Sequence, residues 1–324
     1  STAGRANVLS STCSHLGIVL SLRPKAAVGL FIFSVIGFFA AFDGIVSRHR
    51  VVPLIDSDYS NVKSVYDLSV GHIDHWCLVG DDDNCECEDP LDPINRKEYS
   101  HWQLAHQMNI DLVEAAVSSM ADAGAGGVGG KSGIDVVFLG ESIPEEWAGR
   151  ALGRNSTKFE KARKSFGKHF AKEMNATFEG LPLGIAGDTT PNVLWRLKNG
   201  EMSGYESKVW WLILGRNDLA LKQCSEEVVL LGILRVVEEI LTTRPHTKVV
   251  VNGILPMTNN QEGRLTNQSH RPMPMGLLPP NRRVTTFWPS IVAINEQLKL
   301  FCEKHDDRIT YFDPSDIFVQ KNKR

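Results

Sequence analysis

The sequence predicts a three-layer α/β domain, a five-stranded parallel sheet sandwiched between helices, over residues 134–324. Two observations predict it. Short apolar runs such as "VWWLIL" lack the alternation of a half-exposed strand, so they read as buried on both faces, as in parallel sheets. These runs also alternate with helix-length segments, which gives strand–helix–strand crossovers and a layered domain. Candidate strands are 134–140, 182–187, 208–214, 247–254 and 308–312. Candidate helices are 157–176, 190–198, 224–243 and 289–305. A further helix over 100–123 follows from the spacing of Trp102, Ala105, Leu112, Val113, Ala116, Val117 and Met120. The run "GAGGVGGKSG", 124–133, reads as a flexible linker.

Composition bounds the function. The 324 residues are 42% hydrophobic and carry a formal net charge of −3, so no basic surface argues for nucleic acid. Residues 26–42, "AAVGLFIFSVIGFFAAF", hold no charge and sit just after Arg23 and Lys25. A helix apolar on every face is expected in a membrane. The reading is a single-pass signal anchor, with 1–25 as a cytoplasmic tail. A cleaved signal peptide and a buried helix are the rivals. The C-terminal part is then expected to be lumenal or extracellular, in the secretory pathway or at the cell surface. Acceptor sequons at Asn155, Asn175 and Asn267 fit that placement and predict a glycoprotein.

Residues 43–99 read as an irregular lumenal segment. Within it, "HIDHWCLVGDDDNCECEDPLDP" holds Cys77, Cys85 and Cys87. Cys77 is expected to pair with Cys85 or Cys87, while a zinc site using His72, His75 and the thiols is the alternative. The acidic run 81–83 reads as a solvated turn, and Cys224 and Cys302 read as buried thiols.

Three loops follow the first three strands, at the carboxyl edge where such sheets collect function. They are Gly140-Glu141-Ser142, Gly184-Ile185-Ala186-Gly187-Asp188 and Gly215-Arg216-Asn217-Asp218. Together they supply the parts of an ester hydrolase. Ser142 offers a hydroxyl nucleophile. The Gly187 and Ser142 N–H groups and the Asn217 side-chain amide can donate to the oxyanion of a tetrahedral intermediate. Asp188 reads as the N-cap of the 190–198 helix, and Arg216 as a solvated arginine or a contact for an anionic substrate.

The runs "VVFLGESI", "GIAGDTTPNVLWRLKNGE", "WLILGRND" and "VVVNGILP" resemble the blocks of the SGNH, or GDSL-type, hydrolases. The second run is the most specific. It is similar to the catalytic α-subunit branch of the platelet-activating factor acetylhydrolases. Glu141 stands where the family usually has Asp. The resemblance implies the SGNH, flavodoxin-like fold, with Ser142 as nucleophile and Gly187 and Asn217 as oxyanion donors. It also implies an acyl-enzyme route needing neither metal nor organic cofactor. The expected substrate is a small acyl ester, including acetyl groups on glycans or lipids. The family's base is a histidine three residues after an aspartate, beyond the last strand; no Asp-x-x-His follows "RITYFDPSDIFVQKNKR". A C-terminally truncated hydrolase is the expectation, and a binding protein for acyl or glycan ligands the alternative. His246 and His305 fall at the wrong edge of the sheet and His169 inside a helix; His270, in the proline-rich loop 255–288, is the one stand-in considered.

Overall fold

The computed structural model describes residues 66–80, 85–122, 133–257, 287–305 and 307–319. The 26–42 span, the 81–83 run, most of the 124–133 linker, Asn267 and His270 lie outside them. Among the described residues no helix is long and apolar enough to cross a membrane.

Five parallel strands form the sheet: β1 (Val136–Gly140), β4 (Gly180–Gly184), β5 (Val209–Ile213), β6 (Lys248–Asn252) and β7 (Ile309–Phe312), in the order β4-β1-β5-β6-β7. A short antiparallel pair, β2 (Arg150–Ala151) and β3 (Arg154–Asn155), lies outside it and has no counterpart in the sequence reading. The helices are α1 (Ser100–Asp122), α2 (Ser142–Trp147), α3 (Glu160–Phe170), α4 (Thr190–Arg196), α5 (Arg216–Ala220), α6 (Glu226–Thr243), α7 (Trp288–Lys304) and α8 (Ser315–Phe318).

Burial on both faces explains the continuous apolar strands. Val137, Leu139, Leu183, Trp210, Leu212, Val249 and Val251 face a core shared with Val193 and Leu194 of α4, Val236 and Ile240 of α6 and Ile294 of α7. Val136, Phe138, Trp211 and Val250 face the other side, against Trp147 of α2 and Phe166 and Phe170 of α3. Helix α6 starts cleanly because Ser225 Oγ accepts from Val228 N at 3.3 Å and Glu226 and Glu227 complement the helix dipole.

Several boundaries differ from the sequence reading. The 157–176 helix is three pieces: a 3₁₀ turn at Thr157–Phe159, α3, and a 3₁₀ turn at Lys172–Met174 that ends on Asn175 in the left-handed region. Residues 185–187 leave the sheet although Ile185 is fully buried, because its side chain packs with Trp102 and Ala105 of α1. The cysteine reading changes more. Cys77 pairs with Cys85, and Cys87 pairs with Cys224, 137 residues away. Cys224 is therefore not a free thiol. Cys77 and Cys224 face each other in an antiparallel bridge, which brings the turn between α5 and α6 alongside the lead-in segment. The disulfides consume the thiols that a zinc site would have used. Cys302 is the buried free thiol among the described residues.

The carboxyl ends of β1 and β4 meet closely, with Gly140 opposite Gly184. A Cβ on Gly184 would lie 2.6 Å from Glu145 N and closer still to the Glu141 carbonyl oxygen. One obstacle is backbone of the β1–α2 turn and the other is backbone of α2, so neither can swing away. Gly184→Ala should destabilise the domain by about 2–3 kcal/mol, seen as a lower urea midpoint at unchanged slope. An unchanged midpoint would show that the turn has room to move.

Candidate active site

Counted in chain order, the sheet strands run 2-1-3-4-5, so the connections leave β1 and β5 toward opposite sides. A crevice opens at such a switch point, outside the carboxyl ends of the strands. Ser142 follows β1 and Asn217 follows β5.

The first loop is held rigidly. Pro144, in the first turn of α2, costs no helical hydrogen bond there. Trp147 anchors the helix by edge-on contact with Phe138 at 5.3 Å and stacking on Phe166 at 5.6 Å. Buried Glu145 accepts from Gly153 N and Ala186 N, both at 2.8 Å, so its carboxylate ties α2 to the second loop. Arg196 Nη2 donates to Gly140 O at 2.9 Å.

In the second loop Gly187 has φ +81, and a Cβ there would sit 3.3 Å from Arg96 Nη1. A positive φ and a close neighbour both favour glycine. The N-cap of α4 is Thr189, whose N and Oγ1 donate to Asn192 Oδ1 at 3.0 and 2.9 Å. Asp188 is therefore not the cap. Its fully buried carboxylate accepts from Trp102 Nε1 at 2.6 Å and Arg96 Nη1 at 3.2 Å, and it pairs with Arg196 Nε at 3.0 Å. Beyond Arg196, Glu201 Oε1 receives Asn109 Nδ2 at 2.9 Å and pairs with Arg196 Nη1 and His106 Nδ1.

The third loop closes the junction. Asn217 N donates to Glu141 Oε1 at 3.3 Å, and Asn217 Nδ2 donates to Asp188 O at 2.8 Å. Asp218 receives Thr190 N and Oγ1 at 2.9 and 2.7 Å. All three loops are thus hydrogen-bonded to one another beside Ser142.

A cleft lies at the edge of β1, β5 and β6. Ser142 and Glu141 line it with Arg216, and its apolar walls are Ile143, Ile213, Ile254 and Leu255. Gly187 and Asn217 are not among the lining residues; Asn217 is joined to the lining through its N–H to Glu141. Arg216 is exposed, and its Nε lies 3.2 Å from Met257 Sδ. Among the described residues no histidine lines the cleft. His106 is engaged by Glu201 and Asn199 O, and His305 packs on Tyr66 and Phe301. No cluster of ligating side chains capable of holding a metal occurs among the described residues.

Burial, reinforced by Asp218, pushes the Glu141 carboxyl up to about 8. Burial also raises Asp188, to about 6, against the opposing pull of Arg196, Trp102 and Arg96. Folding therefore favours the protonated form of Glu141. That contribution is full below the ordinary carboxylate range and is lost as pH rises through about 8. Glu141→Gln keeps the neutral form, so it should flatten the fall in melting temperature between about pH 5 and about pH 9. The part of the fall below about 6, to which Asp188 contributes, should stay. An identical pH profile in wild type and variant would contradict this.

The sequence reading missed Arg96, Trp102, Glu145 and Asn109, whose partners lie far along the chain. Arg196 and Glu201 left a trace: with Lys198 they are three charges in the helix-end stretch "VLWRLKNGE".

A profile of the GDSL-like Lipase/Acylhydrolase family matches residues 138–324. Platelet-activating factor acetylhydrolase IB subunit alpha2 from Homo sapiens is 40% identical over 85 residues, which cover 26% of this chain and 36% of that protein. The alpha1 subunit from Rattus norvegicus is 35% identical over 85 residues, covering 26% and 35%. The chain thus spans about a third of the length of these curated relatives. Among solved structures, a putative acylhydrolase from Bacteroides fragilis is similar at a TM-score of 0.39 and 19% identity, covering 62% of this chain and 75% of that one. A family two carbohydrate esterase from Clostridium thermocellum is similar at a TM-score of 0.38 and 14% identity, covering 58% and 55%.

Proposed function

The chain belongs to the GDSL-like lipase/acylhydrolase family, and from that premise we propose that it is a serine ester hydrolase working through an acyl-enzyme on Ser142. In the first step Ser142 Oγ attacks the ester carbonyl and its proton passes to a base. The oxyanion of the tetrahedral intermediate takes hydrogen bonds from the N–H groups of Ser142 and Gly187 and from the Asn217 amide. The alcohol leaves with a proton, and water then attacks the acyl-enzyme to free the acid and the serine. The observation that carries this reading is the junction at Asn217. Its backbone N–H bonds the residue before Ser142, and its amide bonds the residue after Gly187. One hydrogen of that amide is thereby fixed, which orients the other.

Asn217→Ala tests the assignment. Turnover of p-nitrophenyl acetate should fall about 10²–10³-fold in kcat with little change in KM. Unchanged kcat would remove Asn217 from the oxyanion site.

The substrates proposed are small acyl esters, including acetyl groups on glycans or lipids. A second reading, a protein that binds such groups without turning them over, is favoured by one observation: no described histidine lines the cleft. We place the domain on the lumenal or extracellular side, anchored through residues 26–42. The two disulfides suit an oxidising compartment, and the sequons at Asn155 and Asn175 are both exposed.

A further inference from the structure

We propose that Arg96 and Trp102, both outside the region matched to the family, are positioning residues of the hydrolytic site, holding Asp188 so that the Gly187 N–H and the Asn217 amide face the reacting carbonyl. The inference rests on the reading of Gly187 and Asn217 as oxyanion donors.

Asp188 is the last residue of the second loop and has no exposure to water. A buried carboxylate persists only where donors surround it. Arg196 comes from the adjoining helix α4. Trp102 Nε1 and Arg96 Nη1 come from the segment before the sheet. Arg96 Nη1 also reaches Ala186 O at 3.4 Å and stands 3.3 Å from where a Gly187 side chain would begin. It therefore touches the loop on both sides of Gly187. The Asp188 carbonyl in turn receives the Asn217 amide at 2.8 Å, so a shift of Asp188 moves both proposed donors together.

The clamp is itself well seated. Trp102 is fully buried, stacked on His106 at 5.7 Å and tilted against Trp195 at 5.3 Å. Ile94 N donates to Pro191 O, and Asn192 Nδ2 donates back to Ile94 O at 3.0 Å. The Cys87–Cys224 disulfide joins the same segment to the turn between α5 and α6. The charged groups facing Asp188 are Arg96 from the lead-in, Arg196 from α4, Glu201 after α4 and Glu141 from the first loop.

Trp102→Phe keeps a six-membered aromatic ring and removes the pyrrole half of the indole with its donor. It is tested with Arg96→Met, at a partly exposed site, with melting curves taken on both variants. Two readouts are taken on the whole chain. In p-nitrophenyl acetate hydrolysis, each variant should lose roughly tenfold in kcat with KM within about twofold. In a nitrogen–proton correlation spectrum, the Asn217 side-chain amide peak should titrate with Asp188, near 6 in the wild type. Each variant should move that midpoint upward by roughly one pH unit, because each removes a donor that favours the charged carboxylate. Lower stability with kcat and the Asn217 titration both unchanged would overturn the proposal, since the residues would then only support the fold. If the wild type shows no turnover, the hydrolase reading fails. The titration still decides the clamp: a shifted midpoint supports it and an unshifted one overturns it.

Discussion

Ser142→Ala is expected to abolish turnover of p-nitrophenyl acetate, by roughly 10³-fold or more in kcat, while the domain stays folded. The serine begins α2, beside the cleft and only partly buried, so the lost hydroxyl costs little stability, on the order of 0.5 kcal/mol. Its chemistry cannot be replaced locally. The adjoining Glu141 carboxyl is buried and bonded to Asn217 N, and Ile143 is apolar. The oxyanion donors remain in the variant, so a residue of acceleration over water is expected to survive. The measurement is steady-state kcat for wild type and variant, with melting curves as the control. Equal kcat at equal stability would mean that the hydroxyl takes no part.

The second large effect concerns the frame around the site. The Cys87–Cys224 bridge closes a sequence separation of 137 residues. Replacing both cysteines by serine frees a loop of that order in the unfolded chain, which is worth about 4–5 kcal/mol in the chain-entropy account. For a domain of this size the melting temperature should drop by on the order of 10 °C. The Cys77–Cys85 bridge spans a separation of 8, so its removal should cost about half as much. Equal losses from the two pairs, or a loss under about 1 kcal/mol for the long one, would contradict this ranking.

Particular residues show what was legible in the sequence. Val136–Gly140 and Val209–Ile213 were readable as strands because both faces of the sheet are covered, which forces every position to be apolar. The three loops were readable because parallel strands put their carboxyl ends on one edge. The loop residue Ile185 looked like strand because packing against Trp102 and Ala105 demands the same residue type as a sheet interior. Asp188 looked like a helix cap because local pattern favours aspartate before a helix. Two of its partners, Arg96 and Trp102, stand 92 and 86 residues earlier. Cys224 looked like a buried thiol for the same reason, since its partner is 137 residues away. Periodicity and capping rules report on neighbours within a few residues. Long-range polar and covalent links leave no such trace, and here they build much of the support around the proposed donors.

The central claim, an acyl-enzyme on Ser142, is tested most directly by trapping it. The full chain is mixed with p-nitrophenyl acetate, quenched in acid during turnover, digested and analysed by mass spectrometry. The account predicts an acetyl group on the peptide that carries Ser142, absent from the Ser142→Ala protein. Turnover without acetyl on that peptide, or the same adduct on another residue in both proteins, would contradict it.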